Sequence, residues 1–208
     1  MLTLVAIHLD VLDVIRDAYP SADNAPLPAK VKDEIELFGQ AVMPPLFSYV
    51  NEAPLNIIIG LLELVLDRVH VQSIVRTKIG VSILTMLISR AELVAQGPQA
   101  APSSAEHRAQ WSELYNRLFD TIEPVLPHIF PTETNISAAD DVYVWQLLAA
   151  MGVGASPDQQ QRLVLGVKER VMETVGVSRT LPDEMRERRL GDVNLFMRAI
   201  GLDVELLS

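Results

Sequence analysis

The residues of this chain best suited to proton transfer or metal binding are its four histidines, His8, His70, His107 and His128. Imidazole titrates near neutral pH and ligates transition metals, but a helical metal site needs ligands repeating on one face. None of the four stands at HxxxH or HExxH spacing, so they read as isolated surface or loop histidines. No serine sits in a GxSxG setting. The run Gly152-Val153-Gly154-Ala155-Ser156 has the look of a phosphate loop. It lacks the lysine of GxxxxGK[ST] and follows a helical pattern, so it reads as a helix–helix connection. Asp140 and Asp141 make a carboxylate pair already explained as helix caps, and Glu133 in the loop before them does not complete a cage. Cysteine is absent, which excludes a disulfide scaffold, a thiol nucleophile and any Cys-ligated zinc or iron–sulfur site. No catalytic constellation, metal or cofactor is expected.

Binding chemistry is better represented. Arg68, His70, Arg76, Lys78 and Arg90 lie on or near two very apolar helices. Arg68 and Arg90 suit helix C-termini, where positive charge is favourable, and the other reading is contact with a partner. A second cluster holds Lys168, Arg170, Arg179, Arg186, Arg188, Arg189 and Arg198, interleaved with Glu169, Glu173, Asp183, Glu184 and Glu187. Alternating signs mark a solvated helix face; the alternative is an acidic partner or an RNA backbone. Met172, Met185, Phe196 and Met197 are apolar anchors for a peptide groove or members of the core, since methionine adapts to irregular partners. From these, the partner-binding candidates are Arg68, His70, Arg76, Lys78, Arg90, Lys168, Met172, Arg186, Arg189, Phe196 and Met197.

The elements that must position them are helical nearly throughout. Apolar residues recur at three and four residues in Leu4 to Tyr19, with Pro20 to Pro28 a loop. A second helix runs from Ala29 to Met43, and Pro44-Pro45 is expected to stop it and restart a short helix through Tyr49. Pro54 to Val69 and Ile79 to Val94 are apolar on most faces, which predicts helices buried centrally. Gly97 to Ser103 is the clearest break, a flexible connection. Beyond it, Ser104 caps a helix carrying Trp111, Leu114, Tyr115, Leu118 and Ile122, and Pro124, Pro127 and Pro131 break up the next stretch. Val142, Trp145, Leu148 and Met151 define a helix ended by Gly152 and Gly154. Ser156-Pro157-Asp158-Gln159 starts another, with Leu163, Val167, Val171 and Met172 inward. A short charged helix, Leu181 to Leu190, precedes a last one from Gly191 to Ile200, closed by Gly201. The tail Leu202 to Ser208 is a further sticky segment. No strand alternation bounded by hairpin signals occurs. The expectation is one all-α domain over residues 1–208, with a flexible loop at about 97–104. It is an α–α superhelix, an irregular HEAT-like stack of antiparallel helices without a fixed repeat.

Composition agrees. The 208 residues are 49% hydrophobic and 5% aromatic, ample to offset chain entropy. About 70% of the unfolded surface of such a chain is buried on folding. Lys plus Arg is 17 and Asp plus Glu is 27, a net charge of −10 that disfavours non-specific nucleic-acid and anionic-lipid binding. The uncharged stretch Ile79 to Ser89 is too short to span a bilayer. The apolar excess suggests grooves between helices, which accept short amphipathic helices through anchors at i, i+3, i+4 and i+7.

Four stretches carry a family resemblance. They are Ile7 to Val14 (IHLDVLDV), Lys78 to Glu92 (KIGVSILTMLISRAE), Asn116 to Asp120 (NRLFD) and Gly191 to Leu202 (GDVNLFMRAIGL). Together they resemble the C-terminal domain of the Pat family, the topoisomerase II-associated activators of mRNA decapping, in its fungal form. The likeness runs over essentially the whole chain, and the Lys78 to Glu92 stretch is its most specific part. It implies an α–α superhelix and a non-enzymatic scaffold of deadenylation-dependent decapping. The implied partners are the Lsm heptameric ring and leucine-rich helical motifs of the decapping enzyme, with mRNA bound through the full-length protein. The implied location is cytoplasmic processing bodies, with the nucleus as a second place. The family domain usually begins upstream with Lys- and Arg-rich helices, and the remainder would be acidic, as here. An apolar face left without those helices would favour dimerisation. Two other readings stay open from the residues themselves: a direct RNA-binding module and a HEAT-like adaptor of another pathway. A hydrolase with a cryptic site is weaker, for want of converging polar residues.

Overall fold

Apolar residues at helical spacing account for each element of the computed structural model, which describes residues 29–68, 78–96, 105–126, 142–178, 180 and 182–202. The elements are α1 (Ala29–Glu52), α2 (Leu55–Arg68), α3 (Lys78–Gln96), α4 (Ala105–Ile122), a 3-10 turn (Glu123–Val125), α5 (Val142–Gly154), α6 (Pro157–Ser178) and α7 (Asp183–Ala199). Among the described residues there is no strand, as the periodicity predicts. The expected helix before Tyr19, the loops at 20–28 and 97–104, the turns at Pro127 and Pro131, the caps Asp140 and Asp141 and the tail 203–208 lie outside the described residues. No described helix is long and apolar enough to cross a membrane.

The chain divides into two compact units, Met1–Leu114 and Tyr115–Ser208, with the boundary inside α4. In the first unit α3 packs against both α1 and α2. Ile58, Leu61, Leu62 and Val65 of α2 meet Val81, Leu84, Leu87, Ile88 and Ala91 of α3 in its core. Neither helix is enclosed on all sides, contrary to the sequence expectation. Asn56, Gly60 and Glu63 form an exposed strip on α2, and Ser89, Leu93 and Gln96 are exposed on α3. Glu92 is the exception at that end. It is buried, accepts a hydrogen bond from Trp111 Nε1 at 2.9 Å, and accepts another from Gln96 Nε2. Burial raises the pKa of its carboxyl above the ordinary value, and the Trp111 and Gln96 hydrogen bonds pull in the opposite direction.

In the second unit α7 packs on α5 and α6, and α6 also meets α5 and the 3-10 turn. Trp145, Leu147, Leu148 and Met151 of α5 are buried with Leu163 and Val167 of α6 and Val193, Phe196 and Ile200 of α7. The rings of Trp145 and Phe196 lie with centroids 5.9 Å apart. The hydroxyl of Tyr115, on α4, donates to the Met151 carbonyl.

Three boundaries differ from the sequence expectation. Pro44 and Pro45 do not stop α1, which runs through them to Glu52. Their missing N–H groups leave the Gln40 and Ala41 carbonyls without helical donors. All four residues are exposed, so water can meet those oxygens, while Leu46 and Val50 anchor the continuing helix in the core. Gly191 does not separate two helices either: Asp183–Ala199 is continuous. A glycine costs a helix only about 1 kcal/mol, which burial of Val193 and Phe196 outweighs. Gly152 lies inside α5 rather than at its end. A Cβ there would fall 2.8 Å from Ile200 Cγ2 and 3.3 Å from Ala199 Cβ, so the glycine is a close approach between α5 and α7. The expected stop at Gly201 holds. Its φ is +70°, and Gly201 N donates to Arg198 O at 3.0 Å while Leu202 N donates to Met197 O at 3.0 Å. That pair of bonds is the Schellman closure, which needs a left-handed residue at this position.

Candidate partner-binding surface

The start of α6 is set locally. Ser156 N donates to Gln159 Oε1 at 2.9 Å, and Gln159 N donates to Ser156 Oγ at 3.4 Å. This reciprocal capping box satisfies backbone donors that a helix start leaves open. A polar seam then seats the helix within the second unit. Gln159 Nε2 donates to Asn116 Oδ1 at 2.9 Å. Arg162 pairs with Glu123 at 2.8 Å and Asp120 at 3.5 Å, and its guanidinium lies 5.0 Å from the centroid of the Phe119 ring. The hydrogen bond to Glu123 is the main reason its pKa is raised further, so Arg162 remains a fixed cation.

With Leu163 and Val167 turned into the core, the opposite face of α6 is left open. Leu165 is 64% exposed and Met172 66% exposed. Seven residues apart, they share one face, with Lys168 and Glu169 exposed between them. At the end of α7 Leu195 is 50% exposed and Arg198 is exposed, while exposed Leu202 lies beyond the stop at Gly201 and off the helical spacing. An apolar residue, a cation and a second apolar residue at i, i+3 and i+7 is the complement of one face of an amphipathic helix.

The sequence candidates fall into distinct places. Lys168 and Met172 come together on this open face. Met172 was expected inward and points outward, because the inner stripe of α6 continues through Thr174 and Val175. Phe196 and Met197 belong to the core, with Met197 only 8% exposed, so the core alternative holds and their place as partner-binding residues is corrected. Arg186 pairs with Asp183 at 2.5 Å one turn away, and Arg170 with Glu173 at 2.7 Å, as a solvated alternating face would. Arg90 is half-buried in the interior of α3, six residues before its end, and so does not cap a C-terminus. Arg68 is the last residue of α2, where a cap would stand. The side chains of Arg68, Lys78, Arg189 and Met185, and all of His70 and Arg76, lie outside the described residues. Sequence reasoning passed over Leu165 and Arg162. A helical wheel carried the signal for Leu165, which falls off the Leu163–Val167 stripe; the partners of Arg162 are about forty residues away in sequence, beyond any local pattern. Among the described residues no group of His, Asp and Glu is placed to hold a metal.

The family model "Topoisomerase II-associated protein PAT1" matches residues 1–205. The chain belongs to the PAT1 family. Within that family it is 34% identical over 209 residues to the deadenylation-dependent mRNA-decapping factor pdc2 of Schizosaccharomyces pombe. It is 26% identical over 212 residues to the deadenylation-dependent mRNA-decapping factor PAT1 of Saccharomyces cerevisiae. The alignments cover 100% and 97% of this chain but 27% and 26% of those proteins, so it spans about a quarter of their length. The C-terminal domain of the S. cerevisiae Pat1 decapping activator has the same fold. Its free structure matches with a TM-score of 0.78 at 21% identity, covering 96% of this chain and 75% of that one. Its structure bound to a Dcp2 HLM10 peptide (region 954-970) matches equally, at 0.78 and 21%, covering 96% of this chain and 73% of that one. The fold class expected from the periodicity, all-α and superhelical, is that of this PAT1-family domain.

Proposed function

We propose that this chain is a non-enzymatic docking scaffold of mRNA decapping, and that the open face of α6 receives short amphipathic helices of the Dcp2 HLM kind. The observation that carries the reading is the likeness over 96% of the chain to a PAT1-family domain solved with such a peptide. The 34% identity to a second decapping factor supports the same pathway. Leu165 and Met172 supply the apolar anchors, and Lys168 a charge beside them. By binding helices of the decapping enzyme, the scaffold gathers that enzyme on deadenylated mRNA. In the longer protein it also meets the Lsm heptameric ring and mRNA, in cytoplasmic processing bodies and secondarily in the nucleus. These contacts follow from the family resemblance.

The test is titration of a fluorescent leucine-rich helical peptide from the decapping-enzyme tail into the full chain. The expected Kd is on the order of 10 μM, which corresponds to about −7 kcal/mol. Leu165→Glu and Met172→Glu each weaken it about tenfold, with melting temperature unchanged within a few degrees because both positions are exposed. Undiminished binding by both variants would move the groove elsewhere, and no binding at high micromolar peptide would end the proposal.

A further inference from the structure

Arg90 presents an anomaly that the α6 face does not absorb. It is half-buried, its Nε is buried with no hydrogen-bond partner, and among the described residues no carboxylate pairs with it. Buried polar atoms are nearly always paired, so a buried Nε without an acceptor is uncommon. In a chain of net charge −10, carboxylates are abundant, yet none is spent here. The neighbours of Arg90 on α3 are informative. Met86, one turn before, is half-buried; Leu93, almost one turn after, is 61% exposed. The three fall on one face of α3, spanning about 10 Å from Met86 to Leu93 at the helical rise.

We infer that the Met86–Arg90–Leu93 face of α3 is a second docking surface, and that it takes an acidic amphipathic helix of a partner protein. The guanidinium selects an Asp or Glu, whose carboxylate its two Nη groups, which are not among the buried atoms, can grip through two parallel hydrogen bonds. Met86 and Leu93 select leucine or methionine about a turn to either side of that acid. The occupant therefore reads as an apolar residue, a carboxylate three or four residues later, and an apolar residue at the seventh. A nucleic-acid backbone fits this face less well. Polyanion binding rests on several cations neutralising successive phosphates, and Arg90 is the one cation among the described side chains of α3.

The experiment uses the full chain carrying Met172→Glu, which closes the α6 face. A phage-displayed library of helical peptides is selected on it, with depletion against the same chain also carrying Arg90→Gln. Enriched peptides are expected to share one carboxylate flanked by leucine or methionine. A synthetic representative should bind about tenfold more weakly to Arg90→Gln, to Leu93→Glu, and after its own Glu→Gln exchange, with Arg90→Lys in between. Circular dichroism melting of each variant separates lost binding from lost fold, and exposed Leu93 remains the readout if Arg90→Gln does not fold. No enrichment of carboxylates, or equal affinity for Arg90→Gln and Leu93→Glu, overturns the inference. So does a short oligouridylate whose binding depends on Arg90 when no acidic peptide emerges, or a dimer in sedimentation that Leu93→Glu dissolves. Failure here with intact peptide binding at Leu165 and Met172 leaves the α6 reading standing; the reverse result leaves this one.

Discussion

Gly152 is the position where one added carbon has the clearest consequence. An alanine there gains helix propensity, worth about 1 kcal/mol, but sets its Cβ at 2.8 Å from Ile200 Cγ2, a branched atom that cannot swing away. Overpacking of this kind costs about 1–3 kcal/mol, so Gly152→Ala is expected to be net destabilising and Gly152→Val more so. Urea unfolding of Gly152→Ala, Ile200→Ala and the pair forms a cycle. The double variant should be more stable than the sum of the singles predicts, because Ile200→Ala removes the clashing atom. Strict additivity would show that α5 and α7 do not meet this closely. Glu92 gives a pH signature. Its folded pKa is raised by burial, so ionising it opposes folding. Its contribution is full below the ordinary carboxylate pKa and is lost as pH rises through the raised folded value. Wild type should therefore lose stability relative to Glu92→Gln between acidic and neutral pH, in urea titrations read by tryptophan fluorescence. A difference that stays constant with pH would mean that Glu92 is ionised at no cost.

At the scale of elements, α1 makes the sharpest claim, a helix that carries two adjacent prolines in its interior. Restoring the backbone donors at 44 and 45 should stabilise the protein, because the Gln40 and Ala41 carbonyls regain helical partners. Pro44→Ala and Pro45→Ala are each expected to add about 2 kcal/mol by chemical denaturation, the helix penalty of proline less its restriction of the unfolded chain. Loss of stability in both would mean that the prolines serve a turn, as their sequence alone suggests. The contrast with Ser156-Pro157 is instructive. There proline stands at the first position of α6, where no helical N–H is required, and the cap, the proline and the start coincide as read from sequence.

For the whole molecule the charge balance governs what it binds. With 27 acids against 17 bases, the chain should bind single-stranded RNA no better than about 100 μM at physiological salt, the weak end of ordinary non-specific affinity. A gel shift at low and physiological salt checks this, and tight, steeply salt-dependent binding would favour the RNA-module reading. Peptide docking at Leu165 and Met172 should be much less sensitive to salt, since apolar burial carries it. The two docking faces lie in different compact units, so each can be silenced alone.

The helical class, the inner residues Trp111, Leu114, Leu118, Trp145, Leu148, Leu163 and Val167, the capping box at Ser156 and the stop at Gly201 were all legible in the sequence. Each rests on a period of 3.6 residues or on one turn of backbone, and such local regularities are written in neighbouring residues. The candidate surface was legible in part: Lys168 and Met172 stood out by type, whereas Leu165 was not singled out. Tertiary structure alone decided that Met172 faces out while Phe196 and Met197 face in, that Pro44-Pro45 and Gly191 interrupt nothing, and that Gly152 serves packing. It alone brought Glu92 to Trp111, nineteen residues away, and left the buried Arg90 Nε without a hydrogen-bond partner. The physical reason is the same in each case. Burial is summed over residues distant in sequence, and core packing worth several kcal/mol overrides a local penalty of about 1–3 kcal/mol from a proline or a glycine.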